Sequence, residues 1–409
     1  MNLKSRLARL QAQAGSEHTS PAPSNNLRSR LAKIKTIRLH RQRITPCCSM
    51  SDATLADRVH GKLIAEGVIQ IKKYLPLSGQ LGNVELAGLL NQPRLPGEPK
   101  VRCQRQVYID TETTGLSGGS GTLAFLVGMA VLDENAILLS QFLITRFAAE
   151  SCMLTAFAQS LTDNDRLVSY NGKSYDLPLL ATRYRMHSLS HPLEQLPHVD
   201  LLHPTRRLFR RQWPDCRLTT LEKKLLGFKR RNDLPGAEAP AAWFSYIRHG
   251  QGENLIKVVT HNQHDILSLA AAHTRLSEAI EQPQRYQADC CAIARWLSET
   301  DELGARQLLA RCSASLSDDA KRLQAQLARR HGDWSQATEI WRALAKRGCS
   351  ESVERLAKYH EHINKDLHKA KYYCECLPVG AAQSLRLRRL NEKIDRQPIQ
   401  SCVDDAISM

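Results

Sequence analysis

At 409 residues, 42% hydrophobic and 24% charged, the chain is long enough for an enzyme-sized core plus smaller appendages, and its 21 glycines and 17 prolines suggest neither a fibre nor a disordered polymer. A formal charge of +16 and a pI near 9.4 point toward a polyanionic partner, with nucleic acid, DNA or RNA, first among the classes that fit. The 12 cysteines contain no C-x-x-C pair, which argues against a structural zinc site, and with no secretory signal they read as reduced thiols of a cytoplasmic protein.

Residues 1–50 form a basic arm with ten Lys and Arg against Glu17 alone. Within it Leu3-Lys4-Ser5-Arg6-Leu7-Ala8-Arg9-Leu10 returns as Leu27-Arg28-Ser29-Arg30-Leu31-Ala32-Lys33-Ile34, each copy spacing its apolar residues as an amphipathic helix does. Gly15 to Asn26, rich in Ser, Pro and Asn, reads as linker. The arm is expected to be largely flexible alone, or helical once bound to nucleic acid, a membrane surface or a protein groove. Residues 51–94 read as a helical lead-in or linker.

From about residue 95 to 282 the pattern is that of an α/β domain, a mixed sheet flanked by helices. Val107-Tyr108-Ile109 predicts a strand ending at Asp110, and Leu123 to Leu132 and Ile137 to Ile144 predict two more around the polar Asp133-Glu134-Asn135 turn. The Leu123 run is the longest apolar stretch and falls short of the roughly 20 residues a bilayer span needs, so no membrane is expected among the partners. Gly118-Gly119-Ser120-Gly121 lacks the Lys-Ser or Lys-Thr of a phosphate loop and reads as a strand connection. Met153 to Leu161 predicts a helix and Leu167 to Tyr170 a fourth strand.

Between positions 204 and 231, ten basic residues face only Asp215 and Glu222; Arg206, Arg207, Arg210 and Arg211 among them are candidates for gripping backbone phosphates. Past Pro283, residues 284–400 read as an all-α region. Gly332-Asp333-Trp334-Ser335-Gln336-Ala337 aligns with Lys365-Asp366-Leu367-His368-Lys369-Ala370 at an offset of 33, with a weaker copy at Leu303-Gly304-Ala305. That is the period of helical-hairpin repeats such as tetratricopeptide units, and a protein partner is expected there.

The chemistry concentrates in Val107-Tyr108-Ile109-Asp110-Thr111-Glu112-Thr113-Thr114-Gly115-Leu116. Strand alternation points Asp110 and Glu112 to one face, where two like charges need a cation between them, and hard divalent ions with oxygen ligands supply one. This segment resembles the first motif of the DEDD exonuclease superfamily. Asn171-Gly172-Lys173-Ser174-Tyr175-Asp176 resembles its second motif, with the spacing of family B polymerase proofreading domains, and His261-Asn262-Gln263-His264-Asp265 on a helix resembles its third. Over roughly residues 100–275 the chain looks most like the YprB-type ribonuclease-H-like proteins, whose domain closes with His-Asn-x-x-Asp-x-x-Ser-Leu.

The resemblance implies a ribonuclease-H-like fold and two divalent cations, Mg²⁺ or Mn²⁺, held by Asp110, Glu112, Asp176 and Asp265. Asp110 would bridge both ions, Glu112 and Asp265 would complete the water-activating site, and Asp176 would hold the ion on the leaving-group side. His261 departs from the superfamily pattern: it stands four before Asp265, one helical turn away, and is the candidate for orienting or deprotonating the attacking water. His264 points about a quarter-turn away and reads as a supporting or surface residue.

Thr113, Leu116 and Asn171 stand where the resemblance implies contacts to nucleic acid. Leu116 is either a wedge against a terminal base or ordinary core; Asn171 either bonds substrate or caps the strand-to-loop transition. Asp200 reads as a structural turn acid or a support of the metal site, and Lys173 as a loop lysine. The expected activity is metal-dependent hydrolysis of phosphodiester bonds from a 3′ end; the alternative is a nucleic-acid-binding adaptor, catalytically weak or inactive, whose helical repeats recruit a partner.

Overall fold

In the computed structural model, the run Val68-Ile69-Gln70-Ile71 and the predicted strands after it assemble into a seven-stranded mixed sheet. The residues described are 49–91, 93–98, 105–115, 121–133, 136–313 and 316–396. The basic arm, Leu116, most of the glycine-rich loop and the last residues lie outside them. From Met50 onward the chain clusters as one compact unit.

A short helix α1 (Asp52–Arg58) leads into β1 (Gly61–Ala65) and β2 (Val68–Pro76); a small hairpin, β3 (Gln80–Leu81) with β4 (Val84–Glu85), follows. Then come β5 (Arg105–Thr113), β6 (Ala124–Leu132) and β7 (Ala136–Ile144), helix α2 (Glu150–Ala158), β8 (Asp165–Ser169), α3 (Asp176–Met186), β9 (His198–Asp200) and α4 (Leu202–Phe209). After a broken turn of helix at Leu218–Leu226, α5 (Ala239–His249) and the 29-residue α6 (Glu253–Glu281) complete the α/β part.

The sheet order is β1-β2-β7-β6-β5-β8-β9, antiparallel from β1 through β5 and parallel from β5 to β9. β6, Ala-Phe-Leu-Val-Gly-Met-Ala-Val-Leu, is buried along nearly its whole length because helices cover both faces of this central strand. Alternation along β5 divides the core: Val107 and Ile109 join Phe125, Phe157 and Trp243 on one side, while Tyr108 joins Leu139, Ile266 and Leu269 on the other.

The expectation of a helical lead-in over 51–94 is corrected here. Only Asp52–Arg58 is α-helical; β1 and β2 add two strands to the sheet, β2 pairing with β7 from Val68↔Ile144 to Pro76↔Ala136. The β-branched alternation of Val68 to Ile71 and the left-handed Gly67 (φ 76°) in the tight turn before it are the physical cause.

Beyond α6 the chain is helical, as expected, and its helices pack mainly on their neighbours in sequence. The repeat has a structural basis. Asp301, Asp333 and Asp366 each cap a helix by accepting a hydrogen bond from the backbone three residues on, at Gly304, Gln336 and Lys369. Four residues after each cap an alanine, Ala305, Ala337 or Ala370, is fully buried where the helices meet. The first of these helices share a core with the sheet: Leu308, Leu309 and Leu327 belong to the same apolar cluster as Tyr108, Leu139 and Leu276. Packing therefore continues across Pro283 rather than stopping there.

The close approach of α6 to the sheet requires Gly128. A Cβ there would stand 2.1 Å from Asn262 Oδ1 and 2.4 Å from Ile266 Cδ1. Gly128→Ala should therefore destabilise the protein by roughly 1–3 kcal/mol through overpacking, measured by urea unfolding; an unchanged midpoint would show that α6 can recede from β6 without cost.

Candidate active site

Three short segments deliver the four acids. Asp110 and Glu112 leave the end of β5 on the Tyr108 face, the face that meets α6. Asp176 opens α3, where a carboxylate is favoured by the helix N-terminus. The turn into α3 needs Asn171 at φ 67° and Gly172, whose Cβ would stand 2.4 Å from Ser169 Oγ. Asp200 secures it by accepting hydrogen bonds from the backbone N–H groups of Asn171 (2.7 Å), Lys173 (3.1 Å) and Leu202 (3.0 Å). Asp200 is thus a structural turn acid, and the left-handed backbone at Asn171 gives that residue a conformational role.

The third motif lies on α6. Asn262, fully buried, donates to Asp110 Oδ2 at 2.8 Å and accepts from Gln141 Nε2 at 2.8 Å. Gln141 also donates to the Val259 carbonyl (2.9 Å) and accepts from Gln263 Nε2 (2.8 Å), and Gln263 accepts from Lys73 Nζ (2.8 Å). This amide chain fixes α6 against the strand that carries the first motif. Neither Asn262 nor Gln141 was singled out from the sequence; the signal available was the Asn beside His261.

Charge is the dominant feature. Burial, and then the neighbouring Asp265, Asp176 and Glu112, push the Asp110 carboxyl well above its ordinary range. Burial and then Asp265 and Asp176 do the same to Glu112, which is 8% exposed and among the described residues makes no hydrogen bond or ion pair through its side chain. Asp176 is pushed up to about 6 by burial although Thr111 Oγ1 donates to it. An acceptor-only set of this kind fits a hard divalent cation.

One residue of the expected phosphate-gripping run does something else. Arg230 is buried and internal: its guanidinium donates to Glu222 (2.6 Å), to Asp233 (3.3 Å) and to Asp265 Oδ1. Glu222, itself buried, is also held by Ser268 Oγ at 2.6 Å. On the far side of Asp265, His261 Nε2 lies 3.3 Å from Oδ2, while His261 Nδ1 lies 2.9 Å from both oxygens of Asp233. Glu112, His261 and Asp265 each offer one ligand atom within 4.8 Å of the others. Arg230, Glu222 and Asp233 are the residues that the sequence reading missed. His264 packs edge-on against Phe228 with its Nδ1 buried and unpartnered among the described residues, so it is not a free surface group.

Among the expected nucleic-acid contacts, Thr113 spends its hydroxyl on the Gly115 carbonyl (2.9 Å). Arg206, Arg207, Arg210 and Arg211 are exposed on and just after α4. Arg207 also stacks on Trp296 at 4.7 Å, and Arg211 lies 3.4 Å from Asp289. No described helix is long and apolar enough to cross a membrane.

Residues 107–277 match the family model of the RNase_H superfamily, so this part of the chain is a ribonuclease-H-like domain. Over 310 residues, 70% of this chain and 74% of the relative, it is 32% identical to the uncharacterized protein YprB of Bacillus subtilis (strain 168). The chain belongs to the YprB-type family of that superfamily. Among solved structures it is similar to a family B DNA polymerase from Pyrobaculum calidifontis (TM-score 0.35, 14% identity, 68% of this chain and 35% of the polymerase). It is also similar to an exonuclease I bound to the inhibitor BCBP (TM-score 0.30, 12% identity, 46% of this chain and 43% of that one).

The raised carboxyls predict a pH-dependent instability of the metal-free protein. For Asp176 the folded value of about 6 lies above the ordinary 3.8, so its penalty is absent below about pH 4 and grows as pH rises through 6. In EDTA, Asp176→Asn should match the wild type near pH 4 and exceed it at pH 7 by on the order of 1 kcal/mol. Mn²⁺ should then stabilise the wild type more than the variant. Thermal melts at the two pH values check this; a variant less stable at pH 7 in EDTA would contradict it.

Proposed function

We propose that this protein is a metal-dependent nuclease that hydrolyses phosphodiester bonds of DNA or RNA, working from a 3′ end. The observation that carries the reading is the convergence of Asp110, Glu112, Asp176 and Asp265, with Glu112 buried and, among the described residues, without a hydrogen bond or direct ion pair. Such a concentration of like charge is costly in a protein that only binds, and a divalent cation removes the cost.

The four carboxylates would hold two ions, Mg²⁺ or Mn²⁺; when bound, such a pair stabilises the attacking and departing oxygens together. The chain's own contribution is placement. Asn262 aims Asp110, and Arg230 takes Asp265 Oδ1 while Oδ2 lies 3.3 Å from His261 Nε2. Arg206, Arg207, Arg210 and Arg211 form an exposed basic face on which a phosphate backbone would lie.

Purified protein with end-labelled DNA and RNA should give ladders shortened from the 3′ end with Mg²⁺ or Mn²⁺ and none with EDTA. Asp110→Ala and Asp265→Ala should each abolish the ladder while circular dichroism stays native. Absence of cleavage under every condition would favour the adaptor reading, and wild-type hydrolysis by either variant would end the metal proposal.

Replacing the four arginines together should weaken binding and flatten its salt dependence, by up to about 0.7–0.9 in the log–log slope for each phosphate no longer neutralised. Fluorescence anisotropy from 50 to 200 mM salt reads this. An unchanged slope would assign the face to another partner.

A further inference from the structure

We infer that Glu112, His261 and Asp265 form a mixed nitrogen and oxygen metal site, with His261 Nε2 a direct ligand and Asp233 the residue that holds the imidazole in its ligating tautomer. This rests on the metal-dependent reading above and replaces, for His261, the base role expected from its spacing.

The tautomer follows from donors and acceptors. Both oxygens of Asp233 lie 2.9 Å from His261 Nδ1, and a carboxylate only accepts, so Nδ1 carries the hydrogen. The opposite assignment would turn the Nδ1 lone pair toward Arg230 Nη1 at 3.2 Å, but it would also set that lone pair against two carboxylate oxygens at shorter range. In the neutral ring, with Nδ1 as donor, Nε2 is left with a lone pair directed into the acid cluster, whereas a protonated ring would donate from Nε2 to Asp265 Oδ2. A carboxylate–histidine pair of this form is how proteins orient an imidazole toward a metal.

The geometry on the other side agrees. Nε2 lies 3.3 Å from Asp265 Oδ2, and with the neutral Nδ1–H ring this is a contact between two lone-pair-bearing atoms that needs a cation between them to be favourable. Two ligands about 2.1 Å from one ion, at angles of about 90–109°, are separated by about 3.0–3.4 Å. His261 and Asp265 are one turn apart on α6, the spacing at which two helical side chains can reach one ion. Arg230 occupies the other Asp265 oxygen and leaves Oδ2 available. Glu112, 8% exposed and otherwise unpartnered among the described residues, supplies the third ligand within 4.8 Å.

This donor set selects its ion. Mg²⁺ prefers oxygen donors, whereas imidazole favours transition metals, and Mn²⁺ accepts both. The site is therefore expected to prefer Mn²⁺ to Mg²⁺, and that preference should disappear with the imidazole.

The test is pulsed electron paramagnetic resonance of the full-length wild-type protein loaded with Mn²⁺, which needs no turnover and no variant. A directly bound imidazole should give a ¹⁴N modulation that changes on ¹⁵N-histidine labelling. In titrations, Asp233→Ala should weaken Mn²⁺ binding about 10–100-fold, as removal of such an orienting partner does. His261→Ala should remove the ¹⁴N signal and bring Mn²⁺ and Mg²⁺ affinities together, with circular dichroism reporting that both variants fold. Mn²⁺ bound stoichiometrically by the wild type without nitrogen coupling would overturn the inference while leaving the carboxylate site standing. No Mn²⁺ binding at all would overturn both.

Discussion

The hydrogen bond from Asn262 Nδ2 to Asp110 Oδ2 ties the helix bearing the third motif to the strand bearing the first, and the geometry of the site follows from it. Asn262 can reach Asp110 only because residue 128, opposite Asp110 in the β5–β6 register, has no side chain. Gln141 on β7 holds the other end of the amide, and Gln263 and Lys73 extend the chain to β2. Three strands and one long helix are thus fixed by a line of polar groups that satisfy one another. A buried network of this kind is specific because any partly paired arrangement of it is costly.

The second constraint is electrostatic. Asp110, Glu112, Asp176 and Asp265 oppose folding when charged and unneutralised, and among the described residues only Asp265 of the four is paired directly with a basic side chain. Arg230, buried between Glu222, Asp233 and Asp265, is a resident cation for the third-motif acid, and the same contacts hold its guanidinium well into the protonated range. Arg230 also acts on Glu112 through space, but among the described residues no basic side chain makes a direct ion pair with it. The imbalance leaves room for a further positive charge beside Glu112 and His261, which is where a divalent ion would sit.

Much of this could be read in the sequence because the first and second motifs are local. A strand that alternates into Asp110 and Glu112, and an Asn-Gly turn that opens a helix at Asp176, announce themselves over fewer than ten residues. The helical character of the C-terminal region was legible for a similar reason, since the Asp caps and the buried alanines four residues later recur along it. What was hidden depends on distant partners. Arg230 looks like every other basic residue between 204 and 231, and only the fold turns its side chain inward, away from the exposed Arg206 and Arg210. Asp233 becomes meaningful only when α6 brings His261 beside it. β2 escaped notice because its place in the sheet is set by pairing with β7, sixty or more residues later, and β1 joins the sheet by pairing with β2.

The central claim is that the acids at the end of β5 and on α6 are metal ligands and not a strained remnant of charge. Crystals of the protein soaked in Mn²⁺, with anomalous diffraction measured at the manganese edge, test it directly. The account predicts anomalous peaks about 2.2 Å from Asp110 and from Glu112, Asp265 and His261 Nε2. An empty cleft at saturating Mn²⁺, with Glu112 turned aside to a hydrogen-bond partner, would contradict it.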